Sequence, residues 1–430
     1  MLLLFLFSEK KLFALSVKNQ NLRKKQKKMS VRVFILIALL FAGVLGYAGF
    51  FLVSLKSSHF DSPPEYLEAT LLGKEESGPV LPIVTHIAPP EAVRAVYMTQ
   101  CVAGTPVFRN SLVQLVEDTE INSVVIDAKD YSGVIGFLTD NPKLKPFVSD
   151  RCRASDIRSF IESLHQKNIY VIARITVFQD PLYASARPDL AVKRASDGAV
   201  WKDYKKISFI DVGAKEFWDY IIELSKESYN LGFDEINFDY IRFPSDGPMK
   251  DIYFPFSEKK IMADPEKGKA EILREFFSYL YDELKDTGMI LSADLFGMTT
   301  TNTDDLNIGQ ILEYAVPYFD YIAPMVYPSH YPKGFNGYAN VNLYPYEIVK
   351  FSMDSAVERI NEMAMATTTD YGGRGIYEVS QLRPWIQDFD YPVTYTSEMV
   401  RVQKQAVYDS GLDSWMLWDP ANIYTREALD

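Results

Sequence analysis

From Ala92 onward the apolar positions follow two patterns in turn: short runs with the two-residue period of a strand, and longer stretches with the three-to-four-residue period of a helix. The strand pattern covers Val93–Thr99, Ser123–Lys129, Tyr170–Val177, Glu235–Phe243, Ile290–Gly297, Tyr321–Tyr327, Leu382–Phe389 and Ser414–Asp419. The helical pattern is clearest in Ile157, Phe160, Ile161 and Leu164, with Ser155 placed to cap them. Phe217, Ile221 and Leu224 form a second stripe, and Ile272, Phe276, Leu280 and Leu284 a third that Gly288 would end. Eight strand-then-helix units over roughly 340 residues fit a (β/α)8 TIM barrel with insertions. A doubly wound sheet would share the alternation, but no glycine fingerprint for a dinucleotide is present. After the eighth strand so little chain remains that its helix must be short or absent.

Ahead of the barrel, residues 33–55 carry no charge and form one apolar run, long enough as a helix to cross a bilayer core of about 30 Å. Lys and Arg crowd residues 10–32 and little positive charge follows. The positive-inside rule then gives a basic cytoplasmic N-terminus over 1–32, a transmembrane anchor over 33–55 and a domain outside the cell membrane. A cleaved signal peptide is the rival, but the run is longer than a usual signal core and lacks a clear A-x-A site. Met29 could start such an anchor by itself, leaving 1–28 as an upstream misreading of the start. Residues 56–90, with six prolines and no apolar period, read as a semi-rigid linker, and 91–430 as the barrel. The net charge of −12 argues against a nucleic-acid partner. Four scattered histidines show no metal-ligand spacing, so no metal or organic cofactor is expected. Cys101 and Cys152 are either one bridge or two buried thiols.

Active sites of such barrels lie at the C-terminal ends of the strands. In the fourth strand, alternation turns Glu235, Asn237 and Asp239 toward the axis, and Ile236, Phe238 and Tyr240 toward the helices. By the same reading Asp127 and Lys129 point inward from the second strand, Arg174 from the third and Asp294 from the fifth. Gln387 or Asp388 would come from the seventh strand and Asp419 from the eighth. Some of these would pair as buried ions, Asp127 with Lys129 or Arg174 for instance. Tyr97, Trp201, Tyr204, Tyr327, Tyr331, Trp385 and Trp418 fall near strand ends and supply core or sugar-stacking walls. The turn-rich stretch 327–338, with His330 in it, reads as a lid or subsite wall. Two carboxyl groups at a barrel mouth with aromatic walls are what glycoside hydrolysis requires.

FDEINFDYIRFP (233–244), VVIDAKD (124–130), LSADLFGMTT (291–300), YIAPMVYPSHYPKGFNGYAN (321–340), LRPWIQDF (382–389) and WMLWDP (415–420) resemble a bacterial family of glycoside hydrolase type, long catalogued as a domain of unknown function. A more distant likeness is to family 18 chitinases, but Ile241 stands where their acid Glu would be. The likeness to α-amylase and α-galactosidase type barrels implies Asp239 as nucleophile, with Arg242 as the cation beside it. Asp294 is then the first choice of acid, followed by Asp127, Asp388 and Asp419. The expected activity is hydrolysis of an extracellular or cell-wall polysaccharide, with Asp127, Lys129, Arg174, Asn237, Arg242, Tyr327, His330, Trp385, Trp418 and Asp419 binding it. The rival readings are a catalytically inactive glycan-binding barrel and a lyase or aldolase that uses Lys129.

Overall fold

The computed structural model describes residues 84–366, 372–375 and 377–430. Residues 1–32, the 33–55 stretch and the linker up to residue 83 lie outside them. No helix among the described residues is long and apolar enough to cross a membrane.

All eight expected strands form: β1 (Arg94–Met98), β2 (Ser123–Lys129), β3 (Tyr170–Thr176), β4 (Glu235–Asp239), β5 (Ile290–Phe296), β6 (Tyr321–Met325), β7 (Trp385–Gln387) and β8 (Trp415–Trp418). They close in sequence order into one parallel barrel, with β8 hydrogen-bonded to β1. The shell helices are α1 (Pro106–Glu117), α2 (Ile157–His165), α3 (Lys215–Asn230), α4 (Gly268–Leu284), α5 (Leu312–Ala315), α6 (Pro345–Met365) and α7 (Ser397–Asp409). Only a 3-10 turn, Arg426–Ala428, follows β8.

The apolar stripes read from the sequence are the buried faces: Ile157, Phe160, Ile161 and Leu164 on α2, and Phe217, Ile221 and Leu224 on α3. Ser155 is not the cap of α2. Asp156 stands at that position, and its carboxylate is taken by Arg109 instead of the helix N–H groups. Helix α4 stops at Leu284, and Gly288 (φ +82°) turns the chain toward β5 beyond it. Cys101 and Cys152 form a disulfide.

The barrel floor has its own chemistry. Glu235 at the start of β4 accepts two bonds from Arg383, at 3.0 and 2.9 Å from Nη1, and a third from the Tyr170 hydroxyl at 3.1 Å. The Arg383 guanidinium also lies 3.7 Å over the Tyr321 ring. Residues 84–90, assigned to the linker by composition, lie against this end: the Ile87 N–H donates to Asp234 and His86 stacks on Tyr229.

Breaking the floor pair leaves a buried charge without compensation, so Arg383→Met should cost about 3–5 kcal/mol in urea unfolding. Adding Glu235→Gln should recover part of that loss. A single-variant loss below about 1 kcal/mol would show that the pair does not hold the floor.

Candidate active site

The mouth is organised around Arg174, whose side chain rises from β3 into the barrel and is almost wholly buried. Strand register puts its neighbours in place: Asp127 of β2 pairs with Arg174, and Asn237 of β4 pairs with it from the other side. The guanidinium donates to Asp127 Oδ1 at 2.6 Å through Nη1, and to Asp239 Oδ2 through Nε, at 3.1 Å, and Nη2. Its charge also faces Asp294, whose Oδ2 is 3.9 Å from Nε. The ladder from β4 to β5 ends at Phe238 and Ala293, which sets Asp239 and Asp294 side by side one residue higher.

The two carboxyl groups have different partners. Asp239 meets only N–H donors: Arg174 on Oδ2, and the Tyr240 backbone N–H on Oδ1 at 2.5 Å. That arrangement suits an anion. Asp294 receives Asn237 Nδ2 at 2.9 Å and Trp385 Nε1 at 2.8 Å, both on Oδ1, leaving Oδ2 free of short hydrogen bonds. Burial, reinforced by the Asp239 charge, pushes the Asp294 carboxyl well above the ordinary carboxylate range. Asp294 is therefore disposed to carry a proton, on Oδ2, while Asp239 offers its oxygens to N–H donors. Their facing oxygens touch a common nitrogen at 3.1 and 3.9 Å, so they are separated by at most the sum of these, about 7 Å.

A cavity of about 230 Å³ opens above them, walled by Tyr240, Phe296, Met325, Tyr327, Trp385 and Trp418, with Arg242 and His330 at its side. Trp418 is fixed by stacking on Tyr97 at 4.0 Å, and the Tyr97 hydroxyl donates to Asp127 Oδ2 at 2.5 Å. Burial and the Lys205 charge lower the His330 pKa, so its imidazole is neutral at pH 7.

Several sequence expectations change here. Lys129 does not enter the barrel. Asp127 pairs with Arg174 but Lys129 with Ile175, so the strand bulges at Ala128 and its alternation flips. Lys129 then lies between sheet and helices, paired with Asp180 at 2.8 Å and above the Phe217 ring of α3. Asp419 does not line the cavity; it caps its own turn, accepting from the Ala421 and Ile423 N–H groups. Asp388 is likewise held by Thr425, and Gln387 by loop backbone. Arg242 is not the cation on Asp239; Arg174 is. Trp201 is fully buried, its ring so close to Gly247 that a Cβ there would meet it at 2.6 Å. Tyr331 is buried on Ser352, and Tyr204 is an exposed loop residue.

Tyr240, expected to face the helices, lines the cavity because β4 ends at Asp239 and Tyr240 takes a left-handed conformation (φ +51°). Pro244, which disfavours continued strand pairing, is the one signal that hinted at this early end. Phe296 and Met325 were legible: each lies two residues beyond an inward position, Asp294 and Ala323.

A family model described as "Putative glycosyl hydrolase domain" matches residues 95–424. The chain belongs to this family. This glycosyl hydrolase domain is thus a glycosidase-class enzyme, and solved structures share its barrel. The PgaB (BpsB) glycoside hydrolase domain from Bordetella bronchiseptica is 16% identical, with a TM-score of 0.54 over 79% of this chain and 99% of that one. Alpha-L-fucosidase isoenzyme 2 from Paenibacillus thiaminolyticus is 12% identical, with a TM-score of 0.50 over 78% of this chain and 47% of its own. A hypothetical protein from Ruminiclostridium thermocellum ATCC 27405 is 34% identical over 46% of this chain and 96% of that one, with a TM-score of 0.40. No curated protein matches by sequence.

Burial raises the Asp127 carboxyl to about 6. Its protonated form is the favoured one inside, so the stability it contributes is complete below the ordinary Asp value of about 3.9 and is lost as pH rises through about 6. Asp127→Asn should remove that component of the pH dependence, measured as urea unfolding between about pH 4 and pH 7. The variant should also lower kcat about tenfold or more, because Arg174 loses one of the two anions that fix it. An unchanged pH slope together with unchanged kcat would overturn this assignment.

Proposed function

We propose that this glycosyl hydrolase domain cleaves an extracellular or cell-wall polysaccharide by double displacement, with Asp239 as nucleophile and Asp294 as general acid and base. The observation that carries the reading is the unequal treatment of two adjacent carboxyl groups around one guanidinium: Asp239 is surrounded by N–H donors, while Asp294 is buried with one oxygen free. The limit of about 7 Å on their facing oxygens is compatible with the roughly 5–5.5 Å spacing of retaining enzymes.

In the first step Asp239 attacks the anomeric carbon as the glycosidic C–O bond breaks, and the leaving oxygen takes the proton of Asp294 Oδ2. In the second, the Asp294 carboxylate removes a proton from water, which attacks the same carbon and expels Asp239. Arg174 stabilises the Asp239 carboxylate before attack and as it departs. Trp385 and Trp418 wall the cavity that takes the sugar, and Trp385 also orients the acid. The anchor proposed at 33–55 and the basic 1–32 terminus would hold this site outside the membrane.

Asp239→Asn should lower kcat by roughly 10³-fold or more while a cognate glycan still binds, as turnover and calorimetry would show. Asp294→Asn should cost about 10²–10⁴-fold with natural leaving groups and much less with a dinitrophenyl glycoside, which needs no proton. Wild-type kcat/KM should fall as pH rises through the elevated Asp294 value, and the variant should lose that limb with the activated substrate. NMR of early product should show the anomer of the substrate. Hydrolysis that survives Asp239→Asn would overturn this mechanism, whereas a wild type that binds glycans and cleaves none would point to the inactive glycan-binding barrel.

Protease added to intact cells or spheroplasts should digest the barrel and spare the basic N-terminus. Full protection of the barrel would reverse the proposed topology.

A further inference from the structure

Five buried or half-buried cations of the barrel are matched with carboxylates. Arg174 serves Asp127 and Asp239, Arg383 serves Glu235, Lys129 serves Asp180, Arg359 serves Glu313 and Lys404 serves Glu120. Arg242 is the exception at the cavity wall. Its Nη1 donates to the Phe243 carbonyl at 3.1 Å and to Ser245 Oγ at 3.2 Å, and its guanidinium lies 5.2 Å from the Tyr240 ring centre. Among the described residues no carboxylate pairs with it, in a chain whose net charge is −12. Its place is built: the left-handed turn at Tyr240 directs both Tyr240 and Arg242 to the cavity instead of along a longer β4. Such a backbone conformation is costly for an aromatic residue and is typical of functional sites. The Lys205 ammonium adds positive field around His330, another residue of the cavity lining.

Asp239 does not use this charge, since Arg174 already holds that carboxylate. We infer that Arg242 receives a carboxylate carried by the substrate, so that the glycan cleaved here contains an acidic sugar. A planar guanidinium held on one nitrogen, with its ring-side face packed on Tyr240, keeps its remaining N–H groups for a planar anion, which it can bind in a bidentate way. The inference rests on the proposed glycosidase reading for the location of the sugar, but its test does not depend on turnover.

The test uses the full chain with Asp239→Asn, so that bound oligosaccharide persists. Uronate-containing and muramate-containing oligosaccharides are titrated beside their carboxyl-reduced, neutral products. The acidic members should include ligands that bind about tenfold or more tightly than their reduced partners, with the gap closing as salt rises. Arg242→Gln should bring that ratio near one, and Arg242→Lys should restore part of it because charge returns without the planar fork. Preference for neutral glycans, binding of none of the panel, or a ratio that survives Arg242→Gln would overturn the inference. Carboxylate preference without Asp239-dependent hydrolysis would sink the mechanism and leave this inference standing. Asp239-dependent hydrolysis of neutral glycans without that preference would do the reverse.

Discussion

A guanidinium buried in the throat of the barrel is the constraint around which the mouth is built. Taking Arg174 out of water costs several kcal/mol unless its charge and its N–H groups are met, and the repayment must come from well-placed anions. Asp127 and Asp239 meet it from the two neighbouring strands, and Asp294 adds its field from the next. Each of these carboxyl groups is in turn buried and needs the cation. The cluster is therefore self-supporting: its members are tolerable together and expensive apart.

That mutual dependence also distinguishes two acids that the sequence presents as alike. Arg174 and a backbone N–H surround Asp239, while Asn237 and Trp385 fix one oxygen of Asp294 in a dry setting beside a negative neighbour. Two carboxyl groups on adjacent strands cannot both be comfortable as anions in low dielectric. The barrel resolves the conflict by giving the cation mainly to one of them. Acid-base catalysis at a sugar needs the same asymmetry, so the electrostatic solution to burial and the chemical requirement coincide.

The floor shows what an ion pair looks like when it only closes the barrel. Glu235 and Arg383 are as buried as the mouth cluster, but Tyr170 and Tyr321 cover them and no cavity of the mouth reaches them. Polar burial alone does not mark a candidate site in this molecule; polar burial beneath an aromatic-walled opening does.

The sequence by itself determined the eight strands, their parallel order and the inward positions of Arg174, Asp239 and Asp294, and it placed Trp385 and Trp418 only near strand ends. A two-residue side-chain period is a local property of extended backbone, so it can be read from neighbours alone. The tertiary structure decided where that period breaks and who pairs with whom. The bulge at Ala128 removes Lys129 from the site, and the turn at Tyr240 brings Arg242 to it. Asp388 and Asp419 are spent on loop backbone, and Arg383 finds Glu235 across 148 positions of chain. None of these follows from periodicity, because each depends on a partner that only closure of the barrel brings within a few ångströms. A carboxylate has the same letter in the sequence whether it caps a turn, neutralises a guanidinium or holds a proton, and only its packed surroundings choose among these.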